Sequence, residues 1–208
     1  GQPGHVRALL AEAPAIAGCL STFMNFVGVF TLQAKGNGYV KTLLADMTSD
    51  GALRGYAAFD DESEPQLGAD MVAGMSASVP ALLGSGYVAF TVDQGGENGR
   101  YQGIVELSGE TLGDAAMAWF ANSEQVDSHI VAAARKGESG WTASALMVQR
   151  VAADGGSAPA GDKAAQDDAW NTAEMLPRSE ATLSSLMAWL NGERLIVRSA
   201  GASPLSMR

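Results

Sequence analysis

The sequence predicts an α+β domain, and three observations carry that prediction. Residues 5–26 (HVRALLAEAPAIAGCLSTFMNF) have helical length but no clean polar face. Ala, Leu, Ile, Phe and Met fall all round a wheel of period 3.6, so this helix needs cover on more than one side. After Gly28 the apolar period changes to two, the mark of strands with one covered face. A stretch rich in Gly, Ser, Ala and Pro, residues 153–162 (ADGGSAPAGD), then separates the alternating region from a helical tail. A helix that must be covered and strands that can cover it give a three-layer β/α/β core with a buried central helix, followed by a C-terminal helical linker segment. The expected organisation is a core over residues 1–152, a flexible linker over 153–166, and a helical region ending in a strand over 167–208.

Composition limits what such a domain can do. The chain has 208 residues, 47% of them hydrophobic and 17% charged, which is enough to fill a sizeable core. A formal charge of -10 argues against nucleic acid, whose phosphates require clustered Lys and Arg, and against anionic membranes. Glu12 and Pro14 interrupt the opening helix, leaving its apolar run short of the roughly 18 residues of a membrane span. Pro14 is expected to kink that helix or mark its first turn, with residues 15–24 as the regular part.

Along the chain, residues 29–34 (VFTLQA) alternate with Phe30 and Leu32 on one side, and Gly36-Asn37-Gly38 turns the chain into residues 39–45. Ser49-Asp50-Gly51 leads into residues 53–59, completing a three-stranded meander. Residues 60–68 (DDESEPQLG) read as an acidic surface loop, and residues 69–86 as loop or short helix. The clearest hairpin joins residues 87–93 (YVAFTVD) and 100–107 (RYQGIVEL) through a turn at Asn98-Gly99. Residues 111–124 form the clearest amphipathic helix: Thr111 and Asp114 resemble a capping box, and Leu112, Ala116, Trp119 and Phe120 share one face. Residues 128–134 and 141–151 read as two more strands. Beyond the linker come helices at 168–176 and 182–190 and a strand at 194–198.

The search for chemistry finds no catalytic constellation. Gly84-Ser85-Gly86 and Gly36-Asn37-Gly38 lack the third glycine and the strand-to-helix setting of a dinucleotide fingerprint. There is no G-x-S-x-G, and Cys19, the single cysteine, lies in the apolar helix, where a small packing residue is expected. His5 and His129 are too far apart for a metal-ligand pattern, and Asp60, Asp61, Glu62 and Glu64 form a charge run of the kind that solvates a loop. The metal expectation for these residues is therefore none. What stands out is apolar supply in the tail. Trp170, Leu176, Leu183, Leu186, Met187 and Leu190 either dock the tail onto the core or offer it to other chains.

Residues 101–125 (YQGIVELSGETLGDAAMAWFANSEQ) resemble the redox-regulated holdase chaperone family, heat shock protein 33, in which a YQG strand runs into a G-x-T-L helix ending in SEQ. The resemblance extends to residues 30–59, to residues 82–95 (LLGSGYVAFTVDQG) and to the LMVQR strand, in the family's order. It implies two sheets sandwiching a buried helix. It also implies a cytoplasmic, ATP-independent chaperone, a homodimer, that holds unfolding client proteins during oxidative stress. The apolar tail residues named above are then the expected client contacts. The family's switch is a C-terminal module whose C-x-C and C-x-x-C cysteines bind zinc when reduced and lose it on oxidation. Those cysteines would follow Arg208, and a strand and helix would precede the opening helix, so the 208 residues read either as a fragment or as the ordered residues of a longer chain, without a cofactor site of their own. The rival readings are a small-molecule enzyme and a structural interaction domain on the same scaffold.

Overall fold

The structure is a computed structural model and describes residues 3–24, 26–60, 78–95, 99–123, 127–138, 140–149, 170–171 and 198–201. Helix α1 (Gly4–Ser21) comes first, then strands β1 (Val29–Gly36), β2 (Val40–Thr48) and β3 (Leu53–Phe59) as an antiparallel meander. A short helix α2 (Val79–Leu83) precedes the hairpin of β4 (Gly86–Asp93) and β5 (Arg100–Glu106). Helix α3 (Leu112–Ser123) leads to the hairpin of β6 (Ser128–Gly137) and β7 (Gly140–Gln149), on which β8 (Arg198–Gly201) pairs. One sheet has the order β3-β2-β1-β4-β5 and the other β6-β7-β8. The fold is α+β, and all strand pairings among the described residues are antiparallel.

The opening helix behaves as its wheel requires. Every residue from Leu9 to Ser21 is buried, and α1 touches β1, β2 and β3 of one sheet and β6, β7 and β8 of the other. Of the two roles expected of Pro14, marking the first turn is corrected, and with it the regular part at 15–24: α1 runs from Gly4 through Pro14 to Ser21, with Pro3 before its first turn. Proline costs an interior helix one hydrogen bond and crowds the carbonyl four residues back, here that of Leu10. On β3, Gly55 stands against this place: a methyl group there would lie 3.2 Å from Pro14 Cγ and 3.1 Å from the Leu10 side chain. A strand lacking a side chain at that point can close over the proline, so packing supplies what propensity withholds. At the far end the Thr22 and Phe23 amides bond three residues back, to Cys19 and Leu20, and the helix tightens and stops before Met24.

Local signals set the other elements. Ser78 caps α2, with Pro80 in its first turn, so the described part of the stretch read as loop or short helix, from residue 78 on, carries a short helix. Thr111 and Asp114 cap α3 reciprocally: the Thr111 amide donates to Asp114 Oδ2 at 2.9 Å and the Asp114 amide to Thr111 Oγ1 at 3.2 Å. Asp serves in place of the usual Glu because its carboxylate also takes the Glu110 amide at 2.8 Å. Leu112, Ala116, Trp119 and Phe120 are all buried, as the stripe predicts. The last strand lies at Arg198–Gly201, paired Met147 to Arg198 through Ser144 to Gly201. Of the span expected at 194–198, only Arg198 is among the described residues. The linker at 153–166, the acidic residues Asp61, Glu62 and Glu64, and most of the helical tail lie outside them.

Candidate functional surface

The five-stranded sheet has two faces of different character, and its registers show which residues share each. Toward α1 and α3 lie Phe30, Leu32, Ala34, Leu43, Ala45, Val88, Phe90, Val92 and Val105, all buried. Trp119 of α3 stacks on Phe90 with centroids 4.7 Å apart and meets Phe120 edge-on at 4.9 Å. Gly103 of β5 makes room for the indole, because a Cβ there would fall 2.0 Å from Trp119 Nε1.

The opposite face is built from cross-strand rows. One row is polar and crosses all five strands: Arg54, Asp46, Thr31, Thr91 and Gln102. Thr31 Oγ1 donates to Asp46 Oδ1 at 2.7 Å, Arg54 Nε donates to Asp46 Oδ2 at 3.0 Å with Nη2 on the same oxygen, and Gln102 Nε2 donates to Thr91 Oγ1 at 2.9 Å. Asp46 is buried on this face although Arg54 is largely exposed, so the carboxylate is held by partners on both neighbouring strands. Two residues along each strand lies a second row: Tyr56, Leu44, Gln33, Ala89 and Ile104. Four of its five members are apolar or aromatic. Its ends are open, Tyr56 at 57% and Ile104 at 59% exposed, whereas Ala89 in the middle is 2% exposed. Tyr87, also exposed, sits in the next row, opposite Lys35 and Glu106. The two open ends stand on the two edge strands, about 19 Å apart across four inter-strand spacings.

Of the six residues predicted to contact clients, the structure describes Trp170 alone, half-buried and helical beside Asn171. Leu176, Leu183, Leu186, Met187 and Leu190 lie outside the described residues. The sequence reading missed Tyr56, Tyr87 and Ile104. Strand parity could have found two of them: Tyr56 and Ile104 alternate with the buried Ala57 and Val105 and so belong to the opposite face.

Among the described residues two titratable groups depart clearly from their ordinary range. Cys19 is fully buried in α1, and that burial pushes its thiol from 9.0 up to about 12, against a weaker opposing hydrogen bond with the Met147 backbone. It therefore remains a protonated packing residue at neutral pH. Asp50, in the turn before β3, is held below its usual range first by the Thr48 hydroxyl that donates to it. Among the described residues no three His, Cys, Asp or Glu side chains could together hold a metal ion, and a zinc site of thiolates does not fit the one cysteine present. No helix among the described residues is long and apolar enough to cross a membrane.

Comparison with known proteins agrees with this architecture. The model of the Hsp33 protein family matches residues 1–206. The 33 kDa chaperonin of Caulobacter vibrioides is 35% identical over 156 residues, covering 73% of this chain and 51% of that protein. That of Pseudomonas fluorescens SBW25 is 36% identical over 152 residues, covering 73% of this chain and 46% of that protein. The chain thus spans about half the length of the curated relatives it matches. The crystal structure of the 33 kDa chaperonin (heat shock protein 33 homologue) of Thermotoga maritima superimposes with a TM-score of 0.73 at 19% identity, over 97% of this chain and 68% of that one. With two antiparallel sheets, a helix buried against both and a family match along nearly its whole length, this chain belongs to the Hsp33 family.

Proposed function

We propose that the chain forms the core of an ATP-independent holdase, a cytoplasmic homodimer without catalytic activity that binds unfolding proteins through apolar surface and keeps them from aggregating. One observation carries this reading beyond family membership: the outer face of the five-stranded sheet presents an apolar row with open ends, Tyr56 and Ile104, beside a hydrogen-bonded polar row. An unfolding client exposes apolar segments of no fixed sequence, and burying them yields about 25 cal/mol per Å² without demanding a specific partner. The polar row keeps the face hydrated and ordered when no client is bound. Trp170, Leu176, Leu183, Leu186, Met187 and Leu190 extend the apolar supply from the helical tail.

Redox control belongs to the same proposal for the full-length protein. It requires thiolate ligands other than Cys19, whose burial keeps it out of both metal binding and oxidation. Cysteines C-terminal to Arg208 would hold zinc and supply the oxidisable groups. The holdase is tested by light scattering of a thermally unfolding client without nucleotide, in the presence of the full-length protein after peroxide treatment. Suppression at stoichiometric amounts is expected, and undiminished aggregation would sink the reading. Zinc release measured in parallel tests the switch: activity indifferent to oxidation removes that part while leaving the holdase.

A further inference from the structure

The inner face of the five-stranded sheet is sealed along most of its length and opens at one end. One position in from the start of β1, the registers set Leu53, Met47, Phe30, Val92 and Tyr101 side by side in a row. Phe30 is fully buried, yet Tyr101 at the end of the row is 50% exposed, and Val27, two residues before β1, is 75% exposed. Beyond the end of α1, Phe23, Met24 and Phe26 pack half-buried against the core, Phe26 on Phe30 with centroids 6.5 Å apart. Met47 is half-buried in the same way, whereas Met147 of β7 is fully buried. Met47 thus presents a thioether to water on one side and to the fully buried Phe30 on the other.

We propose that Met47 is a site of reversible modification by hydroperoxides, and that its sulfoxide loosens this end of the core. The sulfur lone pair takes one oxygen from hydrogen peroxide: the S–O bond forms as the O–O bond breaks, sulfur gives up two electrons, and the peroxide leaves as water. The product is a polar acceptor where an apolar group had packed. Its neighbours in the row, Leu53, Phe30 and Val92, have no side-chain donor to offer it. The strand also holds it in place, since β2 is laddered to β1 on one side and β3 on the other and cannot swing the oxygen outward. Water must therefore enter between Met47 and Phe30 to satisfy the oxygen. Phe30 leads inward through Phe90, at 6.4 Å, to Trp119, at 4.7 Å, so damage at the rim reaches the aromatic cluster. Met24 follows a helix end and is held by no such ladder, so its sulfoxide can turn to solvent at smaller cost.

The test treats the full-length protein with hydrogen peroxide, then removes the oxidant and adds dithiothreitol and zinc. Thiol chemistry elsewhere in the protein is thereby reversed, whereas a sulfoxide needs methionine sulfoxide reductase. Peptide mass spectrometry is expected to find oxygen on Met47 at least about tenfold faster than on Met147, the buried internal reference. The urea midpoint should fall by about 0.5–1 M and return after reductase treatment. Met47→Leu conserves volume and folds, and it should keep its midpoint through the peroxide step, while Met24→Leu and Met117→Leu should lose it as wild type does. Neither readout depends on client binding, so the holdase reading stands or falls separately. A Met47 oxidised no faster than Met147 overturns the site. A midpoint loss that persists in Met47→Leu, or is abolished by Met24→Leu instead, overturns its consequence for the core.

Discussion

The two faces of the five-stranded sheet are made by the same strands at alternate residues, yet they obey different physics. Toward α1 and α3 the side chains are apolar, buried and interlocked, down to a glycine that exists to seat an indole. On the other face, rows alternate between hydrogen-bonded polar side chains and apolar ones whose ends are open. The inner face sets whether the domain folds, and the outer face sets what the folded domain can touch. Substitutions should therefore separate stability from activity according to strand parity. Trp119→Ala gives the largest effect: it empties the centre of the aromatic cluster with Phe90 and Phe120 and should cost about 3–5 kcal/mol in urea unfolding. Any loss of client protection in that variant should track the unfolded fraction. A variant that stays folded but inactive would break the division between the faces.

Cys19 extends the inner-face argument to pH. Its thiol titrates at about 12 in the fold against an ordinary 9.0, so the unfolded chain loses the proton first. The raised value contributes stability that is complete below pH 9 and disappears as pH rises through 12, a difference of about 4 kcal/mol for three pH units. Wild type should accordingly lose that much more stability than Cys19→Ala between pH 9 and 12. At neutral pH a thiol reagent should label Cys19 only after denaturant is added. Rapid labelling of the native protein would contradict the burial on which this rests.

Asp46 lies on the other side of the comparison, where polar contacts replace packing. Asp46→Ala removes the acceptor for Thr31 and Arg54 and should cost about 1–2 kcal/mol, the larger part from Thr31, because the exposed Arg54 is screened by solvent. Repeating the urea titration in high salt should recover little of the loss. A loss that vanished with salt would mean that the carboxylate is as solvated as the guanidinium.

How far each face could be read in the sequence follows from how its partners are spaced. Residues 5–26 reveal their burial locally, since the apolar side chains on every side of the wheel lie within one segment. The hairpin turns and the Thr111–Asp114 cap are local too. The first-turn reading of Pro14 failed because the proline's accommodation inside α1 depends on Gly55, forty-one positions away on β3. The outer apolar row was hidden as a row for the same reason, although strand parity puts Tyr56 and Ile104 each on an open face. Tyr56, Leu44, Gln33, Ala89 and Ile104 come from five strands, and each alone reads as an ordinary strand residue. The tail, by contrast, advertised its apolar side chains in one continuous stretch, which is why sequence reasoning put the client site there.

The smallest effect on stability is expected where the effect on activity is most telling. Tyr56 and Ile104 project from the two edge strands with more than half their surface in water, so Tyr56→Ser and Ile104→Ser should each change unfolding stability by less than about 0.5 kcal/mol. If the row binds clients, each loses an apolar anchor at one end of it, and the double variant should protect a thermally unfolding client less well than either single one while melting like wild type. The tail offers the contrasting control: Leu186→Ser with Met187→Ser removes apolar surface from the other candidate region. Should the tail variant lose protection while the row variant keeps it, the client site lies where the sequence suggested and the open row serves another contact. The reverse result assigns it to the sheet, and comparable losses assign it to both.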